Sequence, residues 1–398
     1  MNRGRMFPRP LGGDRGQTKP LVDDGSLGRL AVFLPSLVGG GAERITMNLV
    51  REMARRGVHV DLVLSSAVGP FLEDVPDSVE LVDLGRSRVL TSLPALVRYL
   101  RRERPDALLT AISHANVVGV WARRLARVPT RVVVAEHDTL SHVTEQAERR
   151  RARVMPFLIG KSYPKADGII AVSSGVADDL AEATGIPRAS IDVIYNPVVT
   201  PEVADAARRT VEHPWLAPGE PPVVLGIGRL APKKDFTTLL RAFAHVRREV
   251  VARLLILGEG PERPELEDLV RTLDLEADVA LPGFVDNPYG YLGRASLFVL
   301  SSRWEGLPTV LIEAMFCGAP VVSTDCPSGP REILDGGRHG ELVSVGDVAA
   351  MVRAIKAGLA GDIPPAAPES WRVYELGVVT DRYLEMVLPA AVTQKPQA

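Results

Sequence analysis

The chain from residue 29 onward alternates short, almost uniformly apolar runs with longer amphipathic stretches. "RLAVFLP", "VHVDLVLS" and "RVVVAEHD" have the length and the β-branched content of buried strands, and stretches such as "AERITMNLVREMARRG" between them repeat apolar residues at helical spacing. Uniformly apolar strands separated by helices are typical of parallel sheets that are covered on both faces. The pattern therefore predicts repeated βαβ units.

The same alternation starts again after a proline-punctuated stretch at 197–218, with the apolar runs "PPVVLGIGRL", "ARLLILGEG" and "LFVLSS". We therefore predict two α/β domains, each a doubly wound parallel sheet, at 29–198 and 199–385, followed by a tail at 386–398. We expect the domains to face each other across a ligand cleft, because such sheets bind ligands at the carboxyl ends of their strands. The last periodic segment, "WRVYELGVVTDRYLEMVL", predicts a closing helix within 199–385, although the pattern does not show which domain it packs on.

The composition fits a multi-domain globular protein, with 398 residues of which 46% are hydrophobic. No uncharged apolar run reaches the roughly 18 residues of a membrane span. Residues 1–28 are rich in glycine, proline and charge and lack an apolar signal core, which predicts a disordered leader and a cytoplasmic protein. Cys317 and Cys326 are too few for a disulfide framework or a metal cage, so we expect both to be structural.

The net charge of −2 conceals a difference between the two halves. The first 200 residues carry 27 basic against 22 acidic residues, whereas the remainder carries 20 against 27. The two domains are therefore expected to face different partners, and we expect no nucleic acid among them.

In the first domain, the earliest strand runs into the glycine-rich sequence "LPSLVGGGAERI". Glycines at a strand-to-helix turn allow close backbone approach, and a helix N-terminus attracts anions, so the turn is a candidate phosphate or acceptor loop. Its spacing matches neither a Walker A loop nor a dinucleotide fingerprint, and a plain tight turn is the alternative. The candidate residues are Gly40, Gly41, Glu43 and Arg44.

In the second domain, two strand ends carry candidate ligand groups. "GIGRLAPKKDF" places Arg229 and Lys234 where two cations can neutralise a diphosphate, with a solvated basic turn as the alternative and Lys233 as the expected bystander. "LILGEGPER" places Gly258 and Glu259 at the next strand end. That turn either contacts the edge of a nucleotide base or is only a tight turn.

Two glutamates follow the buried strand "LFVLSS" in the sequence "RWEGLPTVLIEAMFCG". Glu305 is predicted in the loop, and Pro308 in the first turn of a helix that carries Glu313 about one and a half turns in. A glycosidase would also use two carboxylates. We disfavour that activity because cations and helix N-termini at the same strand ends favour an anionic leaving group. The carboxylates are instead expected to accept hydrogen bonds from hydroxyl groups.

These motifs resemble the signature of retaining glycosyltransferases of family 4. The resemblance rests on "GRL" followed by Lys234, on "EGLPTVLIEAMFCGAPVVSTD", and on "GGGAER", "AEHDT" and "STDCPSGPREIL", and it covers about residues 29–385. It implies the GT-B fold of two facing Rossmann-like domains, the first binding the acceptor and the second the nucleotide sugar. It is closest to the subgroup that assembles cell-surface polysaccharide or lipid-linked glycans.

The resemblance also implies residue roles. Arg229 and Lys234 would hold the donor diphosphate, Glu313 the ribose hydroxyls and Glu305 the transferred sugar, with His137 facing that sugar from the first domain. The backbone near the phosphate and sugar would come from the helix start at Gly306, Leu307, Pro308 and Thr309.

The implied reaction retains the anomeric configuration, and the departing diphosphate helps to deprotonate the acceptor. The sequence contains no Asp-x-Asp triplet, and the cations can do the work of a metal. We therefore expect neither a metal nor another cofactor. UDP-linked hexose or N-acetylhexosamine is the favoured donor, and a glycan or polyprenyl-diphosphate-linked sugar is the expected acceptor.

The segment 148–168, "ERRRARVMPFLIGKSYPKADG", combines basic residues with apolar and aromatic ones. Such a segment suits an anionic membrane surface, so 149–165 predicts peripheral attachment to the inner face of the plasma membrane. An ordinary amphipathic helix with a solvated basic face is the alternative.

Three other activities compete with glycosyl transfer. A sugar-nucleotide epimerase of the same fold would bind the same donor but would need acid/base groups around the sugar ring. A nicotinamide oxidoreductase is disfavoured by the missing G-x-G-x-x-G spacing. A silent binding module is disfavoured because Glu305, Glu313, Arg229 and Lys234 are all present.

Overall fold

A computed structural model describes residues 27–38, 40–141 and 154–389. The described chain divides into two compact units. The first comprises the described residues within 27–172, 176–197 and 376–389, and the second comprises residues 173–175 and 198–375. Some predictions fall outside the described residues. They concern the leader up to residue 26, Gly39 of the glycine-rich turn, Arg149, Arg150, Arg151 and Arg153 of the basic segment, and the tail from residue 390.

Within these described ranges, the first unit is built on one parallel sheet of seven strands in the order β3-β2-β1-β4-β5-β6-β7. Their apolar side chains are buried on both faces, as the uniformly apolar runs predicted. The strands are β1 (Arg29–Leu34), β2 (His59–Leu64), β3 (Glu80–Asp83), β4 (Ala107–Ala111), β5 (Arg131–Glu136), β6 (Gly168–Ala171) and β7 (Asp192–Val193).

Helices connect these strands and cover the sheet. The first of them contributes Met47, Val50 and Met53 to one hydrophobic cluster together with Leu30 and Leu62 of the strands. The helices are α1 (Gly41–Arg55), α2 (Leu93–Glu103), α3 (Ser113–Ala126), α4 (Met155–Ser162) and α5 (Ser174–Thr184), whose first two residues belong to the second unit.

The second unit contains one parallel sheet of six strands among its described residues, in the order β10-β9-β8-β11-β12-β13. The strands are β8 (Val223–Ile227), β9 (Arg253–Leu257), β10 (Val279–Gly283), β11 (Leu297–Leu300), β12 (Val321–Thr324) and β13 (Glu341–Val343). The helices are α6 (Pro201–Arg208), α7 (Phe236–Arg247), α8 (Arg263–Thr272), α9 (Pro288–Leu292), α10 (Thr309–Phe316), α11 (Pro330–Ile333) and α12 (Val348–Ala360). The predicted fold class, two doubly wound parallel-sheet units, is confirmed.

The final helix, α13 (Leu376–Val387), belongs to the first unit. Val379, Tyr383 and Leu384 are buried in the hydrophobic cluster of that unit, and Arg131 Nε donates to the carbonyl oxygen of Met386 at 2.8 Å. This placement differs from the predicted range 199–385, which assigned the closing helix to the second domain. The reason is that its apolar face completes the first core, a pairing that helical periodicity alone does not encode.

None of the helices in the described ranges is long and apolar enough to span a bilayer. The strand order matters more for function, because β8 and β11 are neighbours, with Leu297 opposite Val224. Their carboxyl ends therefore lie side by side, and the loops after them share one edge of the second sheet.

Candidate active site

The turn after β8 and the loop after β11 meet at a buried ion-pair cluster in the second unit. Lys234 Nζ donates to Glu305 Oε1 at 2.6 Å, and Ser302 Oγ donates to the same oxygen at 2.7 Å. Lys233 Nζ lies 3.4 Å from Glu305 Oε2. Both ammonium groups therefore pair with one carboxylate, and the expectation that Lys233 is a bystander in diphosphate binding stays a prediction.

Glu305 is only 5% exposed, yet its carboxylate stays ionised. Burial by itself would raise its pKa, but the charges of Lys234 and Lys233 and the hydrogen bonds from Lys234 and Ser302 outweigh that effect and lower the pKa. A general acid needs a raised pKa. The Glu305 carboxylate is therefore suited to accept hydrogen bonds and unsuited to protonate a leaving group.

Backbone and side-chain hydrogen bonds hold the two loops in register. Ser301 Oγ donates to the carbonyl oxygen of Lys234 at 2.7 Å, and the backbone N–H of Arg303 donates to that of Lys233 at 2.8 Å. Thr324 Oγ1 of the next strand donates to the carbonyl oxygen of Ser302 at 2.6 Å. These bonds fix the carboxylate in place, so the site is formed by rigid elements.

The predicted helix start is largely as expected. Helix α10 begins at Thr309, with Pro308 at the position just before it, one residue outside the predicted first turn. Gly306, Leu307 and Pro308 are buried, and Glu313 is 5% exposed. The donor-binding roles of these residues stay predictions.

The Gly306 carbonyl has partners that the sequence did not single out. Ser328 Oγ donates to it at 2.7 Å and Ser173 Oγ at 2.8 Å, both within the second unit. Ser328 follows β12, the strand beside β11, and lies in "STDCPSGPREIL". Its position at a neighbouring strand end is the signal that could have identified it.

The other predicted donor residues lie in two turns. Arg229 is exposed in the turn after β8. Glu259, after β9, accepts two hydrogen bonds from Arg263, at 2.7 and 2.8 Å, and these bonds lower its pKa. The structure thus gives Glu259 a local role in bracing the start of α8, while its contact with a nucleotide stays a prediction.

In the first unit, the candidate phosphate loop begins α1, with Gly40 as the residue before the helix. Glu43, in the first helical turn, is 8% exposed, and its carboxylate folds back over Gly40, where an added Cβ would lie 2.1 Å from Oε2. A carboxylate at this end is favoured by the helix dipole. Gly41 is exposed and Arg44 partly buried, and the anion-binding role of the loop stays a prediction.

A buried carboxyl that the sequence analysis missed lies beside His137. Glu136, the last residue of β5, is 2% exposed and accepts hydrogen bonds from Tyr163 Oη at 2.7 Å and Ser113 Oγ at 3.0 Å. Asn116 Nδ2 donates to Tyr163 Oη at 2.8 Å. Burial raises the pKa of Glu136 to about 7, although these bonds and the His137 backbone N–H partly offset the effect and Asp138 adds to it.

This network fixes the start of α3, which carries His114, and the end of β5, which is followed by His137. Ser113 and His114 begin α3 directly after Ile112, whose φ of 77° is unusual for a β-branched residue and marks local strain. His137 is partly covered, and crowding by protein atoms lowers its pKa to about 4, an effect that Asp138 reduces. Both imidazoles are therefore neutral at neutral pH, because burial lowers the pKa of His114 as well.

Replacing Glu136 by Gln should change how stability depends on pH. A carboxyl whose pKa is 4.5 unfolded and about 7 folded contributes stability below pH 4.5 that is lost as the pH rises through 7. Relative to the variant, the wild-type protein should lose about 3 kcal/mol of unfolding free energy between pH 5 and pH 8. Urea denaturation at several pH values measures this difference, and the exposed Glu276→Gln serves as control. A constant offset between wild type and Glu136→Gln would contradict the prediction.

Comparisons with known proteins match both units of the chain. A family model described as Glycosyltransferase Family 4 matches residues 39–202, and one described as Glycosyl transferases group 1 matches residues 221–360. An enzyme of Campylobacter jejuni, N-acetylgalactosamine-N,N'-diacetylbacillosaminyl-diphospho-undecaprenol 4-alpha-N-acetylgalactosaminyltransferase, is 30% identical over 341 residues, which are 84% of this chain and 91% of that one. The chain belongs to glycosyltransferase family 4. It is an enzyme, as the resemblance implied.

Further relatives of this glycosyltransferase agree with the assignment. The lipopolysaccharide core biosynthesis glycosyltransferase LpsE of Rhizobium meliloti is 30% identical over 329 residues, 80% of this chain and 85% of that one. The crystal structure of Anabaena HepE in complex with UDP and glucose superposes with a TM-score of 0.72 at 22% identity, covering 90% of this chain and 99% of that one. The structural match shows the GT-B fold.

Proposed function

We propose that this glycosyltransferase moves a hexose or N-acetylhexosamine from a UDP-sugar to a glycan or polyprenyl-diphosphate-linked acceptor, with retention of anomeric configuration and without a metal. The observation that carries the proposal is the Glu305 carboxylate, held ionised between Lys234 and Lys233 at the carboxyl ends of β8 and β11. The names of two relatives support the substrate classes. One is a transferase acting on a diphospho-undecaprenol-linked sugar, and HepE was solved with UDP and glucose.

The cluster suggests how donor binding and leaving-group stabilisation are combined. The two ammonium groups supply two positive charges against one carboxylate, so a positive charge is left over for a diphosphate. The Glu305 carboxylate has lone pairs beyond those used by Lys234 and Ser302, and these can accept from sugar hydroxyls. Arg229 would add a guanidinium fork to the diphosphate, and Glu313 would accept from the ribose.

The first unit would then hold the acceptor. Neutral His137 can donate a hydrogen bond to a sugar hydroxyl or accept one from it. Because the imidazole carries no charge, it does not repel a cationic group. The Glu136 network would keep that strand end in position, since its carboxylate joins the start of α3 to the turn after α4.

A transfer assay tests the proposal. Purified enzyme is incubated with labelled UDP-GlcNAc, UDP-GalNAc, UDP-glucose, UDP-galactose or GDP-mannose, each with a polyprenyl-diphosphate-linked sugar, in EDTA. We expect transfer from one UDP-sugar, with an α-linked product from an α-linked donor. Loss of transfer in EDTA that Mn²⁺ or Mg²⁺ restores would refute metal independence, an inverted product would refute retention, and use of GDP-mannose alone would refute the donor class. Isomerised donor without acceptor would favour an epimerase.

We further propose that the enzyme binds the inner face of the plasma membrane through the surface around α4. Phe157 is 64% exposed and Val154 48% exposed, and Lys161 lies 5.8 Å from the Phe157 ring. An exposed aromatic ring beside lysine suits the headgroup region of an anionic bilayer. The arginines at 149–151, which strengthened the sequence prediction, lie outside the described residues.

Replacing Phe157 by Glu should weaken binding to anionic vesicles. The substitution removes the apolar ring and adds a charge that the bilayer repels, so the fraction that co-sediments with phosphatidylglycerol vesicles at low salt should fall about tenfold. Phe284→Glu is the matched control, because that ring is 77% exposed in the second unit. Equal binding by the two variants, or no binding by wild type, would count against attachment through α4.

A further inference from the structure

Three metal-binding side chains converge at the edge of the first sheet, and none of them belongs to the candidate active site. His59 and Asp61 lie on β2, and Glu80 begins β3. Asp61 is directly opposite Glu80 in the parallel register, and His59 shares the face of Asp61 because alternate residues of a strand point the same way. One ligand atom from each of the three lies within 4.8 Å of the others.

One carboxylate oxygen of Asp61 accepts hydrogen bonds, and the other accepts none. Oδ2 accepts from Arg29 Nη2 at 2.7 Å and from Arg29 Nε at 3.1 Å, and Tyr99 Oη also donates to it. Oδ1 is buried and has no hydrogen-bond partner, and His59 Nε2 lies 3.3 Å away from it. A buried carboxylate oxygen without a hydrogen bond costs free energy, which either a protonated His59 or a cation between the two side chains would offset.

We propose that His59, Asp61 and Glu80 form a binding site for a divalent transition metal ion of the Zn²⁺ class. Zinc bonds of 2.0–2.2 Å in tetrahedral geometry place ligand atoms about 3.4 Å apart, close to the 3.3 Å between Asp61 Oδ1 and His59 Nε2. Imidazole with carboxylates favours Zn²⁺, Co²⁺ or Ni²⁺ over Mg²⁺. The exposure of His59 and Glu80 leaves room for water in the fourth position.

The charges around the site also favour a dication. Arg29 pairs with Asp61 and with Glu103, the latter at 2.9 Å from Nη2, and Arg102 also pairs with Glu103. Glu80 adds a further negative charge, so three carboxylates face two guanidinium groups. A net negative charge is left for a bound cation, and Asp61 is already desolvated by the fold.

The ion would act on stability rather than on transfer. His59 and Glu80 are the first residues of their strands, at the amino ends of the sheet, whereas Glu136 and His137 lie at the carboxyl end of β5. The edge strand β3 has four residues and pairs only with β2 in the described sheet. A metal joining Glu80 to His59 and Asp61 would fasten that strand. The site is therefore compatible with metal-independent glycosyl transfer.

Metal titration of the full-length, untagged protein tests the site. After treatment with EDTA and buffer exchange, one equivalent of Zn²⁺ should raise the melting temperature by at least about 3 °C, and the same concentration of Mg²⁺ should not. Co²⁺ should produce the strong visible absorption of a tetrahedral site. Neither readout depends on transferase activity.

Matched variants separate this site from adventitious binding. His59→Ala and Glu80→Gln change exposed side chains, so both should fold and lose the Zn²⁺ shift and the Co²⁺ absorption. The exposed His245→Ala should keep both. Asp61 is left unchanged because Arg29 and Tyr99 depend on it. An unchanged Zn²⁺ response in His59→Ala and Glu80→Gln, or no response in wild type, would overturn the proposal.

Discussion

Replacing Glu305 by Gln is expected to reduce glycosyl transfer about a thousandfold, the effect of removing roughly 4 kcal/mol of transition-state stabilisation. The carboxylate pairs with Lys234 at 2.6 Å and Lys233 at 3.4 Å, and Gln keeps its volume and its contact with Ser302 while losing the charge. Both the sugar contact and the placement of the ammonium groups should therefore suffer. The measurement is the steady-state rate with the donor identified in the transfer assay.

Two further variants and two folding measurements show whether the loss of transfer comes from the Glu305 carboxylate. Glu249→Gln removes a surface carboxylate that pairs with Lys356 at 2.5 Å in the same unit, and it should leave transfer unchanged. Lys233→Ala removes the longer of the two Glu305 contacts from a side chain that is 29% exposed, so we expect about a tenfold loss. Thermal unfolding and UDP binding report whether Glu305→Gln is folded. A folded Glu305→Gln enzyme with wild-type activity would refute the role given to the carboxylate.

Replacing Gly258 by Ala should destabilise the second unit by about 4 kcal/mol or more. Gly258 follows β9 with a φ of 133°, a conformation that is essentially confined to glycine. An added Cβ would lie 2.0 Å from the carbonyl oxygen of Gly228, which follows the neighbouring strand β8. Because the obstructing atom belongs to the backbone, a side-chain rotation cannot relieve the clash. The two strand ends, and with them the turn that carries Lys234, would have to separate.

Gly361→Ala provides the matched control for this prediction. Gly361 ends α12 at a φ of 86°, but an added Cβ there meets nothing within 4 Å. Its cost should be the backbone strain alone, about 1 to 2 kcal/mol. Urea denaturation followed by tryptophan fluorescence measures both. If the two variants lost similar amounts, the close approach of Gly258 to Gly228 would not be a determinant of stability.

The ion-pair cluster around Glu305 was partly foreseeable from the sequence. Lys234 and Glu305 each follow an apolar run, and parallel strands place such positions on one edge of a sheet, although the two residues are 71 positions apart. Which of two adjacent lysines pairs with the carboxylate was not foreseeable, because turn geometry decides where each ammonium points. The structure directs both Lys233 and Lys234 to Glu305.

Burial of Glu305 and Glu313 can be related to their neighbours in the chain, whereas burial of Glu136 cannot. Glu305 and Glu313 sit among apolar residues in one continuous segment, so local pattern indicated their surroundings. Glu136 is buried by Tyr163 and Ser113, which lie 27 and 23 positions away in the chain. No local periodicity reports such a partner.

The sequence by itself determined the alternation of strands and helices, the two parallel sheets and the strand ends at which ligand groups occur. These features depend on the spacing of apolar residues and on the positions of glycine and proline, which act over a few residues. Only the tertiary structure decided that α13 completes the first core, that Lys233 joins Lys234 on Glu305, and that His59 and Asp61 meet Glu80. These arrangements depend on strand register and on the complementarity of distant apolar faces, which are properties of the assembled chain.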